Sequence, residues 1–237
     1  MAAQANNAVV LANAPHFASL IPLVDRMYDT AAQLAAPKHS PTLGKLLMVC
    51  HREFLVAASQ IIRGLPFDSH ANTRRAVEVA KVALAFKRNV ANVHKWLKPD
   101  LRQRRWNARE EGKKPERLPS VRFPELDNDP LVQDLQQYFG IASDAFVHFT
   151  PEFFALQESS ETPDGDGNVS VVLNYITSNR NILLHAAMLC GLHVRTLLVF
   201  DAAFDGVVSA HAGWKVLRAT FDQLSTELSR DLPPLSE

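Results

Sequence analysis

Two short strings set an arginine and a histidine where phosphate chemistry could use them. Arg180-Asn181 is followed four residues later by His185, and Arg88-Asn89 is followed five residues later by His94. Arginine can hold a phosphate or a developing oxyanion through its planar fork of donors, and histidine can move a proton near neutral pH. On a helix the spacing from Arg180 to His185 puts the two side chains about 140° apart, so they converge only at a bent helix end or with a group from a second helix. A second constellation joins Arg74 and Glu78, four apart, to Tyr138, Ser143 and His148, five apart. Glu78 sits among Val77, Val79 and Ala80, so its carboxylate is expected to be partly buried, with the second trio as partners from a facing helix. That grouping is open to two readings: a site with a shifted Glu or His pKa, or a polar network that fixes helix register, the latter being the commoner case. A third grouping, Arg102, Arg104, Arg105 and Arg109 around Trp106, could clamp a nucleic-acid backbone while the indole stacks on a base. Glu110, Glu111 and Glu116 dilute that field, and a solvated connector is the plainer reading.

Several chemistries fail on spacing. No Gly-x-Gly-x-x-Gly, Walker loop or Gly-x-Ser-x-Gly elbow is present. His-x-x-x-His and Glu-x-x-His are absent too, so neither a metal nor a cofactor is expected. The run Asp164 to Asn168 has the look of a calcium loop, but the twelfth position is Tyr175 where a bidentate carboxylate is needed, so it is expected to be a turn. Cys50 and His51 are adjacent and point about 100° apart on a helix, a poor nucleophile–base pair. Cys50 and Cys190 are expected to be buried, reduced thiols, which fits a cytoplasmic location.

The elements that would position these residues are mainly helical. Apolar residues recur at intervals of three and four over His16–Ala35, from Thr42 to about Arg63, and from Asp68 or Ser69 towards Trp96. They do so again from Asp127 or Asp129 to Phe146, over Asn179–Phe204, and over Val207–Arg230. Val49 joins Leu46, Leu47, Cys50, Phe54 and Ile61 on the expected inner face of the second helix. Phe153–Gln157 and Val169–Tyr175 flank a dense set of turn residues and predict a β-hairpin over 153–175. The fold class is therefore mainly all-α: one domain over 1–237, about six helices in a bundle with one appended hairpin and a flexible tail over 231–237. His185, His193, Arg195 and Asp201 interrupt the apolar run Ile182–Phe204, so it predicts a core helix, not a membrane span. No basic residue precedes the apolar Val9–Leu11, so no signal peptide is expected.

Two resemblances bear on function. The Arg-Asn-x(3–4)-His strings resemble the Arg-x(4–6)-His motif of HEPN-type proteins, which implies a metal-independent ribonuclease of a toxin or defence system, with Arg180, Asn181 and His185 as its site and Arg88, Asn89 and His94 in reserve. The order of an Arg-x3-Glu helix, a Tyr/Ser/His helix, a hairpin and two final helices is similar to that of uncharacterised bacterial all-helical proteins. The expectation beside the ribonuclease is a soluble helical protein acting through binding or assembly, with a homo-oligomer as one outcome. RNA is the partner that the first resemblance and the basic segment share. The formal net charge is zero, with 25 basic and 25 acidic residues, which disfavours attraction of the whole protein to nucleic acid or an acidic membrane. That balance is a cancellation. The segment 98–122, an expected exposed excursion, holds nine basic and four acidic residues, so the helical body is mildly acidic.

Overall fold

Apolar residues three and four apart line the inner faces of helices in the computed structural model, which describes residues 15–35, 39–63, 65–89, 91, 99–114, 123–146, 159–163, 169–173 and 179–231. Helix α1 (Pro15–Ala35) buries Leu20, Val24, Met27, Tyr28 and Ala31. Helix α2 (Pro41–Ile62) starts one residue before the expected Thr42 cap. Pro41 lacks an N–H and suits the first helical position, so Ser40 caps the helix, its Oγ accepting from the Thr42 N–H at 3.3 Å. Helix α3 (Pro66–Arg88) likewise begins at a proline, leaving Asp68 in the first turn, where its charge favours the helix dipole, instead of at the cap. The helix expected to run towards Trp96 ends instead at Arg88, because Asn89 is extended; beyond Asn89 only Ala91 is described before Pro99.

Helix α4 (Pro99–Glu110) falls within the basic segment, and a single 3-10 turn, Pro124–Leu126, precedes α5 (Pro130–Phe146). Asp129 caps α5, Oδ1 accepting from the N–H groups of Leu131 and Val132 at 3.0 and 3.1 Å. Strand β1 (Ser159–Pro163) pairs antiparallel with β2 (Val169–Leu173), Ser159 opposite Leu173 and Pro163 opposite Val169. The first strand thus lies beyond the expected Phe153–Gln157, which is outside the described residues.

The C-terminal part departs from expectation in one place. Helix α6 (Asn179–Ala203) is followed by Asp205 and Gly206 in left-handed conformations, with φ of 58° and 73°. Asp201 then caps a short α7 (Val207–Ala210), its Oδ1 accepting from the N–H groups of Val208 and Ser209. The chain becomes extended at His211 and restarts as α8 (Ala212–Asp231), so the one helix expected over Val207–Arg230 is two.

Helix α6 is the hub. It packs against α1, α2, α3 and α5, while α8 closes over α1. Its stretch Ile182–Ala203 is long and apolar enough to cross a membrane, and 67% of that window is buried against the rest of the protein. Burial from several sides explains the absence of a clean polar face on this helix. Cys50 and Cys190 are both buried and free, and the Cys50 thiol donates to the Ala76 carbonyl at 3.3 Å.

Candidate functional site

Neither Arg–His string has both of its partners among the described side chains. His185 on α6 is 2% exposed, its ring 5.5 Å from that of His70 on α3. Burial, with His70 adding to it, holds its imidazole well below the usual histidine pKa, hence neutral. The side chains of Arg180 and Asn181, and His94 altogether, lie outside the described residues. Arg88 is committed to structure. It pairs with the buried Asp129 and donates to the Glu125 carbonyl at 2.9 Å, tying the end of α3 to the start of α5. The Asn89 side chain accepts from the Ala91 N–H in a local turn.

The expected polar network is not assembled as drawn. Arg74 and Glu78 do pair, at 3.1 Å, but on the solvent side of α3, with side chains 70% and 63% exposed. The physical reason is helical phase: Ala76, Val77 and Ala80 face inward, and Glu78 lies about 100° past Val77. Tyr138 turns instead towards α6. Arg195 lies over its ring with 4.0 Å from guanidinium carbon to centroid. His148 and the Ser143 side chain are outside the described residues. In the basic helix α4, Arg104, Trp106 and Arg109 are exposed and Arg105 is partly buried, while the Arg102 side chain is not described. The Trp106 indole N–H donates to Glu110 Oε1 at 2.8 Å, which ties the indole to its own helix.

Among the described residues the most deeply buried carboxylate is Glu53, which belongs to none of the groupings expected from spacing. It sits on α2 facing α3, 1% exposed, with Arg52 Nη2 2.7 Å from Oε1 and Arg75 Nη2 2.8 Å from Oε2. Burial pushes its carboxyl up, but the hydrogen bonds from Arg52 and Arg75 outweigh that and hold it below the usual carboxylate range. Arg75 also donates to Asn72, whose amide donates to Gln60 at 2.6 Å, so one chain of hydrogen bonds staples α2 to α3. A second chain joins α1, α2 and α6. His51 Nε2 donates to Asp25 Oδ1 at 2.6 Å, and its ring stacks on Tyr28 at 4.9 Å. The Tyr28 hydroxyl, kept protonated by burial and by neighbouring Cys50, donates to His193 Nδ1 at 2.7 Å. That bond places the remaining imidazole proton on His193 Nε2, which has no hydrogen-bond acceptor and lies beside the Phe54 ring, 5.0 Å away. Burial, helped by His51, brings the His193 pKa down to about 3. These chains organise the core, and His193, at their inner end, is fully buried.

Two features reach the surface. The first is the outer face of α2, where Met48, Val49, Leu55 and Val56 are 55%, 36%, 45% and 41% exposed. Val49, expected inward, is on this face. The second is a cleft of about 330 Å³ between α5, α6 and α8, bordered by Tyr138, Arg195 and Arg218. Gly191 makes its geometry possible, because the Tyr138 hydroxyl stands 2.5 Å from where a Cβ would be. Among the described residues no group of three or more His, Cys, Asp or Glu side chains could hold a metal ion. Compared with protein-family models, with curated proteins and with solved structures, the chain matches none of them.

Proposed function

We propose that this protein acts by binding, and that the outer face of α2 is a docking surface for an amphipathic helix carrying carboxylates. Helices α1, α3 and α6, which pack against α2, are the scaffold that holds this face outward. One observation carries the reading: on a helix whose opposite side is fully buried, Met48, Val49, Leu55 and Val56 are uncovered together. Their spacing is that of a helix-pairing seam. Lys45, Met48, Arg52, Leu55 and Ser59 alternate at intervals of three and four, with Val49 and Val56 beside them. Such a row presents knobs to one helix laid along it over the length of α2, about 33 Å. A scattered surface leucine needs no explanation; a contiguous apolar row does.

The charges choose the partner. Lys45 and Arg52 are exposed on this helix, and its one acidic residue, Glu53, is buried. A second copy would bring like charges together, whereas carboxylates opposite Lys45 and Arg52 complement them. The Glu53 carboxylate also holds Arg52 by its Nη2, which keeps that guanidinium beside the row.

The test is titration of the full chain with a designed three-heptad helix bearing leucine at its inner positions and glutamate at its flanks. Saturable binding that weakens with salt, and drops at least tenfold in Met48→Gln/Leu55→Gln, is expected. Both residues are exposed, so the double variant keeps its fold. Equal affinity in the variant refutes the reading, as does concentration-dependent dimerisation of the wild type that the same substitutions abolish.

A further inference from the structure

Arg195 and Arg218 border one cleft that the helix-docking reading does not use. It is built by α5, α6 and α8, with none of its lining from α2. Its volume of about 330 Å³ is that of a small-molecule site. Val194, Leu198 and Phe221 belong to its apolar lining, and Asp134 and Asp222 line it beside the two arginines. The cations are held in place. Arg195 lies over the Tyr138 ring, donates from Nη1 to the Gly191 carbonyl at 3.2 Å, and has Nε 3.0 Å from Asp134 Oδ2. Arg218 Nε donates to both carboxylate oxygens of Asp222, at 2.9 and 3.0 Å.

The two ion pairs share an asymmetry. The Arg195 and Arg218 side chains are 31% and 35% exposed, while Asp134 and Asp222 are each 55% exposed. The guanidiniums are thus the sheltered members and the carboxylates the wet ones. Pairs with a solvated carboxylate contribute little, so a competing anion exchanges with Asp134 or Asp222 at small cost. Arginine is suited to such exchange, because its fork of donors accepts a second carboxylate in the same geometry.

We propose that this cleft binds a small amphipathic carboxylate, with its head group drawn to Arg195 and Arg218 and its aliphatic or aromatic body lying on Val194, Leu198 and Phe221. Inorganic phosphate answers the arginines and leaves the apolar lining uncovered; a neutral alcohol does the reverse. Only a ligand with both parts uses the whole surface.

The experiment is calorimetric titration of the full chain with 3-phenylpropionate, run against 3-phenyl-1-propanol and inorganic phosphate. The carboxylate is expected to saturate one site, with the alcohol and phosphate at least tenfold weaker. Arg218→Gln removes one half of an exposed i,i+4 pair and keeps the fold, and it should weaken the carboxylate at least tenfold. Met48→Gln/Leu55→Gln should leave this binding unchanged, which separates this site from the α2 face. No saturation by about 10 mM, far above the millimolar Kd of even weak specific sites, overturns the proposal. So does an affinity unchanged in Arg218→Gln, or phosphate binding as tightly as the carboxylate.

Discussion

Acid should unfold this protein through its histidines before its carboxylates are protonated. His70, His185 and His193 are buried, and burial holds all three imidazoles neutral, His70 at a pKa of about 4 and His193 at about 3. In the unfolded chain each returns to 6.5. The folded pKa lies below the unfolded one, so the unfolded state binds more protons at every pH between them. Stability is therefore complete above 6.5 and is lost as pH falls towards the folded values, below which the loss levels off. At pH 5 the difference amounts to about 2 kcal/mol for His70 and about 2 kcal/mol for His193, with His185 adding in the same direction. A loss of about 4 kcal/mol or more is a large share of a domain's roughly 5–15 kcal/mol, and in a chain of this size it lowers Tm by roughly 10 °C. Glu53 adds its own loss only at lower pH, since its folded pKa is below the ordinary carboxylate range. The assay is urea unfolding followed by circular dichroism from pH 7.5 to 4.5. The slope of unfolding free energy against pH should reach at least two protons near pH 5. His193→Asn, which keeps an acceptor for the Tyr28 hydroxyl, should remove about one of them. A slope of less than one proton, or a Tm unchanged between pH 7.5 and 5, would refute the argument.

Two further outcomes follow from close contacts. Gly191→Ala places a Cβ 2.5 Å from the Tyr138 hydroxyl and 3.1 Å from its Cζ, and should cost roughly 1–3 kcal/mol by forcing the ring off α6. Adding Tyr138→Phe removes the nearer atom and should recover part of that loss in a double-mutant cycle; strictly additive effects would show that the two do not touch. At the α2–α3 staple the two partners should behave unequally in thermal melts. Arg75→Met leaves the Glu53 carboxylate buried with Arg52 alone and should cost about 2–3 kcal/mol, whereas Glu53→Met removes the buried charge, leaves both arginines in water, and should cost less. A reversed order would mean that the pair is worth more than the desolvation it demands.

Helical phase is legible wherever an apolar row is long, and that phase decides which polar residues are buried. On α2 the inward positions Leu46, Leu47, Cys50, Phe54, Ala57 and Ile61 are legible from spacing alone. Glu53 stands three residues after Cys50 and four before Ala57, squarely on that row, so a carboxylate that must be paired was visible there. Arg74 and Glu78 form a conspicuous i,i+4 pair, and such pairs suit an exposed face, which is where this one lies. Val49 has the residue type of an inward position, but the row leaves it beside Met48 on the outside. Breaks were legible when they carried proline and not when they were tertiary. Prolines mark the starts of α2, α3 and α5, but the split between α7 and α8 follows a left-handed Asp205–Gly206 pair and a cap from Asp201 that no periodicity announces. The cleft had one local signal, a glycine inside an otherwise strongly helical run. Gly191 weakens α6 unless something must come close to it, and what comes close is the Tyr138 ring on which Arg195 rests. A core helix that gives up a side chain at Gly191 seats the Tyr138 ring beneath Arg195, so the glycine in α6 is explained by the shape of the cleft it borders.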